Sequence, residues 1–252
     1  QAWIANTILE QGSLLVDDLA ELFSVSRMTI HRDLDDLERL GILRKVRNGA
    51  TALRSSHFES DIRYRVKQQV EEKKAIALKA LEFVEPGQAI FLDEASTLLP
   101  FARLLADVTP LTVITNFLPI MRELTEVKGI RLIALGGEYL HKYDTFTGLL
   151  CEQNVSTLRA DLFLTSVTAL SRGMFFHPEE RIIRVKRAMM LNASRNLMLM
   201  DHTKIGKVAI HAFAPLHEFD VLITDGLIDA AVLTELRESG MRVEVAPINT
   251  DG

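Results

Sequence analysis

The chain has 252 residues, 48% of them hydrophobic and 25% charged, a composition that fits a soluble globular protein and excludes a mostly disordered one. Its 34 acidic and 29 basic residues leave a net charge of -5, which excludes a uniformly basic nucleic-acid coat but leaves room for a local basic patch. A single cysteine, Cys151, excludes an internal disulfide framework and any zinc site made from several cysteines.

No apolar run approaches the roughly 18 residues of a membrane span. The first residues lack the charged, apolar and small-residue order of a secretory leader. A cytoplasmic protein with no membrane partner is expected.

The first sixty residues are sorted by charge. Residues 1–38 carry eight acids and only two bases, Arg27 and Arg32. Residues 39–58 carry no acid and five bases: Arg39, Arg44, Lys45, Arg47 and Arg54. This predicts a small domain with one electropositive end.

Three helical stripes precede that basic stretch. Ile4, Ile8 and Leu9 form the first, and Leu19, Leu22 and Phe23 the second. Ile30, Leu34, Leu37 and Leu40 form the third, spaced four, three and three apart on one helical face. Ser26 suits the N-cap of the third helix, and Gly41 suits its left-handed stop. Ser24-Val25-Ser26 between the second and third stripes gives the spacing of a helix-turn-helix.

The leading half of the third helix presents Arg27, Thr29, His31 and Arg32, and its second half presents Asp33, Asp35, Asp36 and Glu38. Phosphates repel those carboxylates, so only the leading half can enter a major groove. Strands are predicted at Ile42–Val46 and Thr51–Leu53 around an Asn48-Gly49 turn. Arg44, Lys45 and Arg47 would make this hairpin a wing that contacts phosphates. The candidate DNA-binding residues are therefore Ser26, Arg27, Thr29, His31, Arg32, Arg44, Lys45 and Arg47. A protein-binding three-helix bundle is the plainer alternative.

Residues 57–74 read as a partly helical connector. From Ala75 apolar runs alternate with amphipathic stretches. The runs are Ala89–Leu92, Thr112–Ile114, Ile130–Leu135, Leu162–Leu164, Leu197–Met200, Val221–Ile223 and Val243–Val245. Helical segments are expected near 97–107, 118–127, 179–194 and 229–239. The fold class is thus α/β: an N-terminal winged helix-turn-helix (1–56), the connector, and a larger parallel-sheet α/β effector domain (75–252).

Ligands of such sheets bind beyond the carboxyl ends of the strands. There stand Asp93, Ser96 and Thr97, then Thr115 and Asn116, then Gly136 and Gly137, then Asp201 and Lys204. Hydroxyls at a helix start, bare glycine backbone and a lysine suit a phosphorylated, hydroxyl-rich small molecule. Each also has a plain structural reading: Ser96 and Thr97 as caps, the glycines as a turn, Lys204 as a surface charge. The histidines show no metal-ligand spacing, and neither a metal nor a cofactor is expected.

Val16-Asp-Asp-Leu-Ala20, Val25-Ser-Arg-Met-Thr-Ile-His-Arg-Asp-Leu34, Leu37-Glu38, Gly41 and Asn48-Gly49-Ala50 together resemble the N-terminal signature of the DeoR family of bacterial transcriptional regulators. The resemblance continues through Asp93, Ser96-Thr97, Thr115-Asn116, Leu135-Gly-Gly137, Gly148, Ala160-Asp161, Glu180, Lys186-Arg187-Ala188-Met189 and Asp201-His-Thr-Lys204. It implies a sensor domain related in fold to ribose-5-phosphate isomerase, and release of DNA when a sugar phosphate binds. By the resemblance, Ser96, Thr97 and Lys204 would hold phosphate, Asp93, Asn116, Asp161 and Glu180 would face sugar hydroxyls, and Lys186 joins the effector set. His31 departs from the family's usual Arg, Ala95 from its Gly, and Leu98 from a frequent Thr.

The expected function is a repressor of a carbohydrate-utilisation operon. It would bind double-stranded operator DNA as a homo-oligomer and be released by a phosphorylated sugar. The alternative is a sugar-phosphate isomerase with an accessory N-terminal domain, using Glu180, Asp161 and Lys204 for acid–base chemistry.

Overall fold

Contacts divide the computed structural model, which describes residues 1–52 and 61–248, into two units, Gln1–Arg65 and Val66–Gly252.

The first unit runs α1 (Ala2–Gln11), β1 (Ser13–Leu15), α2 (Val16–Leu22), α3 (Arg27–Arg39), β2 (Leu43–Val46), β3 (Gly49–Ala52) and α4 (Ile62–Arg65). Ile4 and Ile8 of α1, Leu19 of α2 and Ile30, Leu34 and Leu37 of α3 close on one core with Leu43 and Ala50. Leu22 is exposed instead, and the side chain of Leu9 lies outside the described residues. Both ends of α3 follow from their residues. Ser26 Oγ accepts the Thr29 amide at 3.1 Å. Gly41, at φ 69°, donates to the Glu38 carbonyl, while the Ile42 amide donates to Leu37. That double closure is a Schellman stop, with Ile42 as its apolar partner.

β2 and β3 form an antiparallel hairpin, and β1 pairs with the other edge of β3. The hairpin register corrects the expected one. Val46 pairs with Gly49, so the turn is Arg47-Asn48, and only Asn48 of the two is left-handed, at φ 61°. Gly49 lies in the strand because β1 crosses close to it. A Cβ there would stand 2.4 Å from the Leu14 carbonyl oxygen. Leu53 and Arg54, the expected far end of the hairpin, lie outside the described residues, as does the first part of the connector.

The second unit begins with α5 (Val70–Leu81), β4 (Ala89–Leu92), α6 (Leu98–Leu104), β5 (Leu111–Thr115), α7 (Leu118–Leu124) and β6 (Ile130–Ala134). There follow β7 (Glu138–Leu140), β8 (Thr145–Thr147), α8 (Leu149–Ser156), β9 (Ala160–Thr165), β10 (Ala169–Ser171) and β11 (Met174–His177). The unit closes with α9 (Glu180–Leu191), β12 (Ala193–Leu199), β13 (His211–Pro215), β14 (Val221–Asp225), α10 (Ala230–Glu238) and β15 (Val243–Ala246).

The seven apolar runs are the seven strands of one parallel sheet, ordered β15-β14-β12-β9-β4-β5-β6. Its central strands are buried on both faces, which is why they read as unbroken apolar runs. α5 crosses the expected connector boundary at residue 74 and buries Lys73, Ile76, Ala77 and Ala80 within this unit. Two smaller antiparallel groups, β10-β11-β13 and β7-β8, escape the sequence reading. Their strands are three to five residues long, and the β10–β11 turn uses Arg172 at φ 48° ahead of Gly173, a weak turn signal. Among the described residues no helix is long and apolar enough to cross a membrane.

Candidate functional site

In the first unit, α3 carries Ile30, Leu34 and Leu37 inward and leaves His31 and Arg32 exposed. Other expected contact residues are already engaged. Ser26 and Thr29 hydroxyls lie 2.9 Å apart, locked in the cap. The Arg27 guanidinium forms a two-point ion pair with Asp17 of α2. That carboxylate holds Arg27 above the ordinary arginine value. On the hairpin, Lys45 is half-buried against Asp35 of α3, and its amide donates to Glu38 at 2.7 Å. These bonds fasten the hairpin to the back half of α3. Arg44 and Arg47 remain exposed.

In the second unit, parallel strands bring their carboxyl ends to one edge, and the polar residues that follow them converge there. Lys186 of α9 is fully buried, with its ammonium 2.7 Å from Asp93 and 2.9 Å from Glu94. It also donates to the Ser166 carbonyl at 3.0 Å. Thr165 Oγ1 donates to Asp93. Next in line, Lys204 Nζ stands 3.0 Å from Ser166 Oγ, 3.3 Å from Thr97 Oγ1 and 3.5 Å from Asp201. Asp225, at the end of β14, fixes the Lys204 turn by accepting the His202 amide and pairing with its ring.

Two carboxylates face one ammonium in this buried cluster. Burial pushes the Asp93 carboxyl up to about 7, against the pull of Lys186. Burial also works against the Lys186 charge, but Asp93 and Glu94 outweigh it and hold the amine above its ordinary value. Burial opposes the charge on Asp201 too, yet Lys204 and Thr203 keep that carboxyl below the usual range. Asp93 Oδ1, Glu94 Oε2 and Asn116 Oδ1 are buried with no hydrogen-bond partner among the described residues. A buried acceptor left so costs roughly 1–3 kcal/mol, and a hydroxyl-rich ligand would supply the missing donors.

The structure therefore joins Asp93, Thr97, Lys186, Asp201 and Lys204 through hydrogen bonds and ion pairs. Ser96 is buried beside Thr97 and borders a cavity of about 380 Å³ between α5 and α6, which Lys73 also lines. Thr115 and Asn116 are buried at the end of β5, but Thr115 accepts the Phe117 amide and Asn116 donates to Phe146. Gly136 is exposed after β6, and Gly137 packs on the Thr147 carbonyl and Cys151.

Two expected residues stand apart. Asp161 lies at the amino end of β9 and accepts the Ala89 amide at 2.8 Å. Thr165 ends the same strand, about 13 Å further along at strand rise. Glu180 is exposed on the first turn of α9 and pairs with Arg184 at 2.7 Å. Neither belongs to the buried cluster.

Sequence reasoning missed Glu94, Thr165, Ser166 and Lys73. Thr165 and Ser166 follow the run Leu162–Leu164, so the strand-end rule applied to Ser96 and Thr97 reaches them too. Lys73 sits in a charged stretch read as connector. It is buried, donates to the Gln68 carbonyl at 2.8 Å, and helps lower the Asp201 carboxyl.

Comparison with known proteins matches residues 1–56 to the family model "DeoR-like helix-turn-helix domain" and residues 68–226 to "DeoR C terminal sensor domain". The putative aga operon transcriptional repressor of Escherichia coli O157:H7 is 30% identical, over 95% of this chain and 90% of that protein. The HTH-type transcriptional regulator GolR of Listeria innocua serovar 6a is 31% identical, over 96% of each chain. The lactose phosphotransferase system repressor of Staphylococcus aureus is 30% identical, over 88% of this chain and 89% of that protein. Among solved structures, ribose 5-phosphate isomerase A of Methanocaldococcus jannaschii is 16% identical, with a TM-score of 0.39 over 53% of each chain.

Proposed function

Because the chain belongs to the DeoR family of transcriptional regulators, we propose that it represses a carbohydrate-utilisation operon and leaves its operator when a phosphorylated sugar fills the buried cluster of the second unit. The relatives that cover its length are named as regulators and repressors, so regulation, not isomerisation, is the activity.

The observation that carries the effector reading is the pairing of cations with open acceptors at one sheet edge. Lys204 with Thr97 and Ser166 offers an ammonium and hydroxyl donors to a phosphate. Asp93, Glu94 and Asn116 hold unpartnered buried oxygens for sugar hydroxyls. Lys73 adds a second positive charge on the Asp201 side.

DNA binding is assigned to the exposed His31 and Arg32 of α3 and to the wing residues Arg44 and Arg47. Arg27, Lys45, Ser26 and Thr29 first orient these elements. A ligand moves the DNA equilibrium only through its different affinity for the two states. A coupling of about 1–3 kcal/mol changes operator affinity from several-fold to about a hundred-fold. One helix-turn-helix reads a short half-site, so the working form is a homo-oligomer on repeated sites. The DNA-binding domain is proposed to end near residue 56 and the effector domain to include all of α5. The cytoplasm is its proposed location.

A thermal-shift screen of the full chain against phosphorylated sugars tests the effector assignment. A bound ligand raises the midpoint, and Lys204→Ala removes the shift. A panel of phosphorylated sugars that leaves the wild-type midpoint unmoved defeats this reading.

A further inference from the structure

Met28 occupies the first turn of α3 with 82% of its surface exposed. Ile30, Leu34 and Leu37 define the buried face of that helix. At 100° per residue, Met28 lies nearly opposite Ile30, on the same outward face as His31 and Arg32. Its neighbours in the leading turn are occupied: Arg27 by Asp17, and Ser26 and Thr29 by each other. The turn that enters a groove first thus presents one long apolar side chain beside two polar ones.

The apolar feature that the major groove offers is the C5-methyl group of thymine. A thioether side chain is unbranched and adapts its shape to such a contact. Phosphates, by contrast, offer methionine nothing, and the wing arginines already supply charge. We propose that Met28 is a specificity-determining residue, packing on a thymine methyl while His31 and Arg32 meet the polar edges of adjacent base pairs. This rests on the reading of α3 as the recognition helix.

The test uses the full chain on duplexes it selects from a random library. In the best duplex each thymine is replaced in turn by deoxyuridine, which removes only the methyl group. Dissociation constants are measured by fluorescence anisotropy for wild type, Met28→Ala and Arg32→Ala. At one position the replacement weakens wild type about fourfold, the factor for one methyl group taken out of water. Met28→Ala is indifferent to that replacement and keeps its melting midpoint and its salt slope.

If a duplex is enriched and Arg32→Ala weakens it, but no thymine replacement separates wild type from Met28→Ala, the Met28 assignment is overturned and the recognition helix stands. If no sequence is enriched and Arg32→Ala changes nothing, the recognition-helix reading falls and takes this assignment with it.

Discussion

The Lys186 ammonium stands 2.7 Å from the Asp93 carboxylate, and neither side chain has any surface in contact with solvent. Removing one member of a buried pair strands the other. Lys186→Met leaves Asp93 and Glu94 facing each other and should cost about 3–5 kcal/mol of stability. Urea unfolding of the full chain measures it. A loss below about 1 kcal/mol would mean that the two carboxylates find other partners.

Asp93 also makes stability depend on pH. Its carboxyl is pushed up to about 7 by burial, from 3.8 in an unfolded chain. Between those values the folded form holds the proton more tightly, so this group's contribution to stability falls as pH rises and levels off above about 7. Asp93→Asn has no such dependence. The stability of that variant relative to wild type should therefore rise between about pH 5 and pH 7. Melting midpoints across that window check the sign, and a difference that is flat or falling contradicts it.

Gly49 ties the wing to the rest of its unit. An added Cβ meets the Leu14 carbonyl oxygen at 2.4 Å, and a backbone atom cannot swing aside. Gly49→Ala should destabilise the protein by about 1–3 kcal/mol and weaken DNA binding through the displaced hairpin. Unfolding curves and anisotropy on one sample measure both. Wild-type stability in the variant contradicts the close approach of β1 and β3.

The wing cations are not equivalent. Arg44 and Arg47 are exposed, whereas Lys45 is half-buried and bound to Asp35. Replacing both arginines by alanine should flatten the dependence of log affinity on log salt by about two, because each phosphate that a cation neutralises contributes about 0.9 to the slope. Lys45→Ala should change the slope less and the melting midpoint more. Equal slopes in wild type and the double variant would remove the wing from the phosphates.

Much of this architecture is legible in the residues alone. All seven strands of the large sheet stand out as short apolar runs, the central ones unbroken because both of their faces are buried, and the α3 caps stand out because Ser26 and Gly41 each have a specific backbone task. The buried cluster is legible in part. Lys204, Thr97 and Asp93 obey the rule that ligands gather at strand ends, and so do Thr165 and Ser166, which stand outside the expected set. Asp161 and Glu180 do not join them. The run Leu162–Leu164 already puts Asp161 ahead of its strand, and only the resemblance set it among the ligand residues. The sequence does not tell that an ion pair in the first turn of α9 already engages Glu180. Gly49 shows the same limit. Its place beside Asn48 suggests a turn, while its actual constraint comes from Leu14, far earlier in the chain.

The most direct test of the account is the affinity of the full chain for its selected duplex, measured by anisotropy with and without each member of a panel of phosphorylated sugars. At least one sugar phosphate should weaken wild-type binding by about 5–150-fold. Lys204→Ala should hold the duplex as tightly as wild type and stay bound when that sugar is added. A wild-type affinity that no phosphorylated sugar alters, or a Lys204→Ala protein released as readily as wild type, would contradict the account.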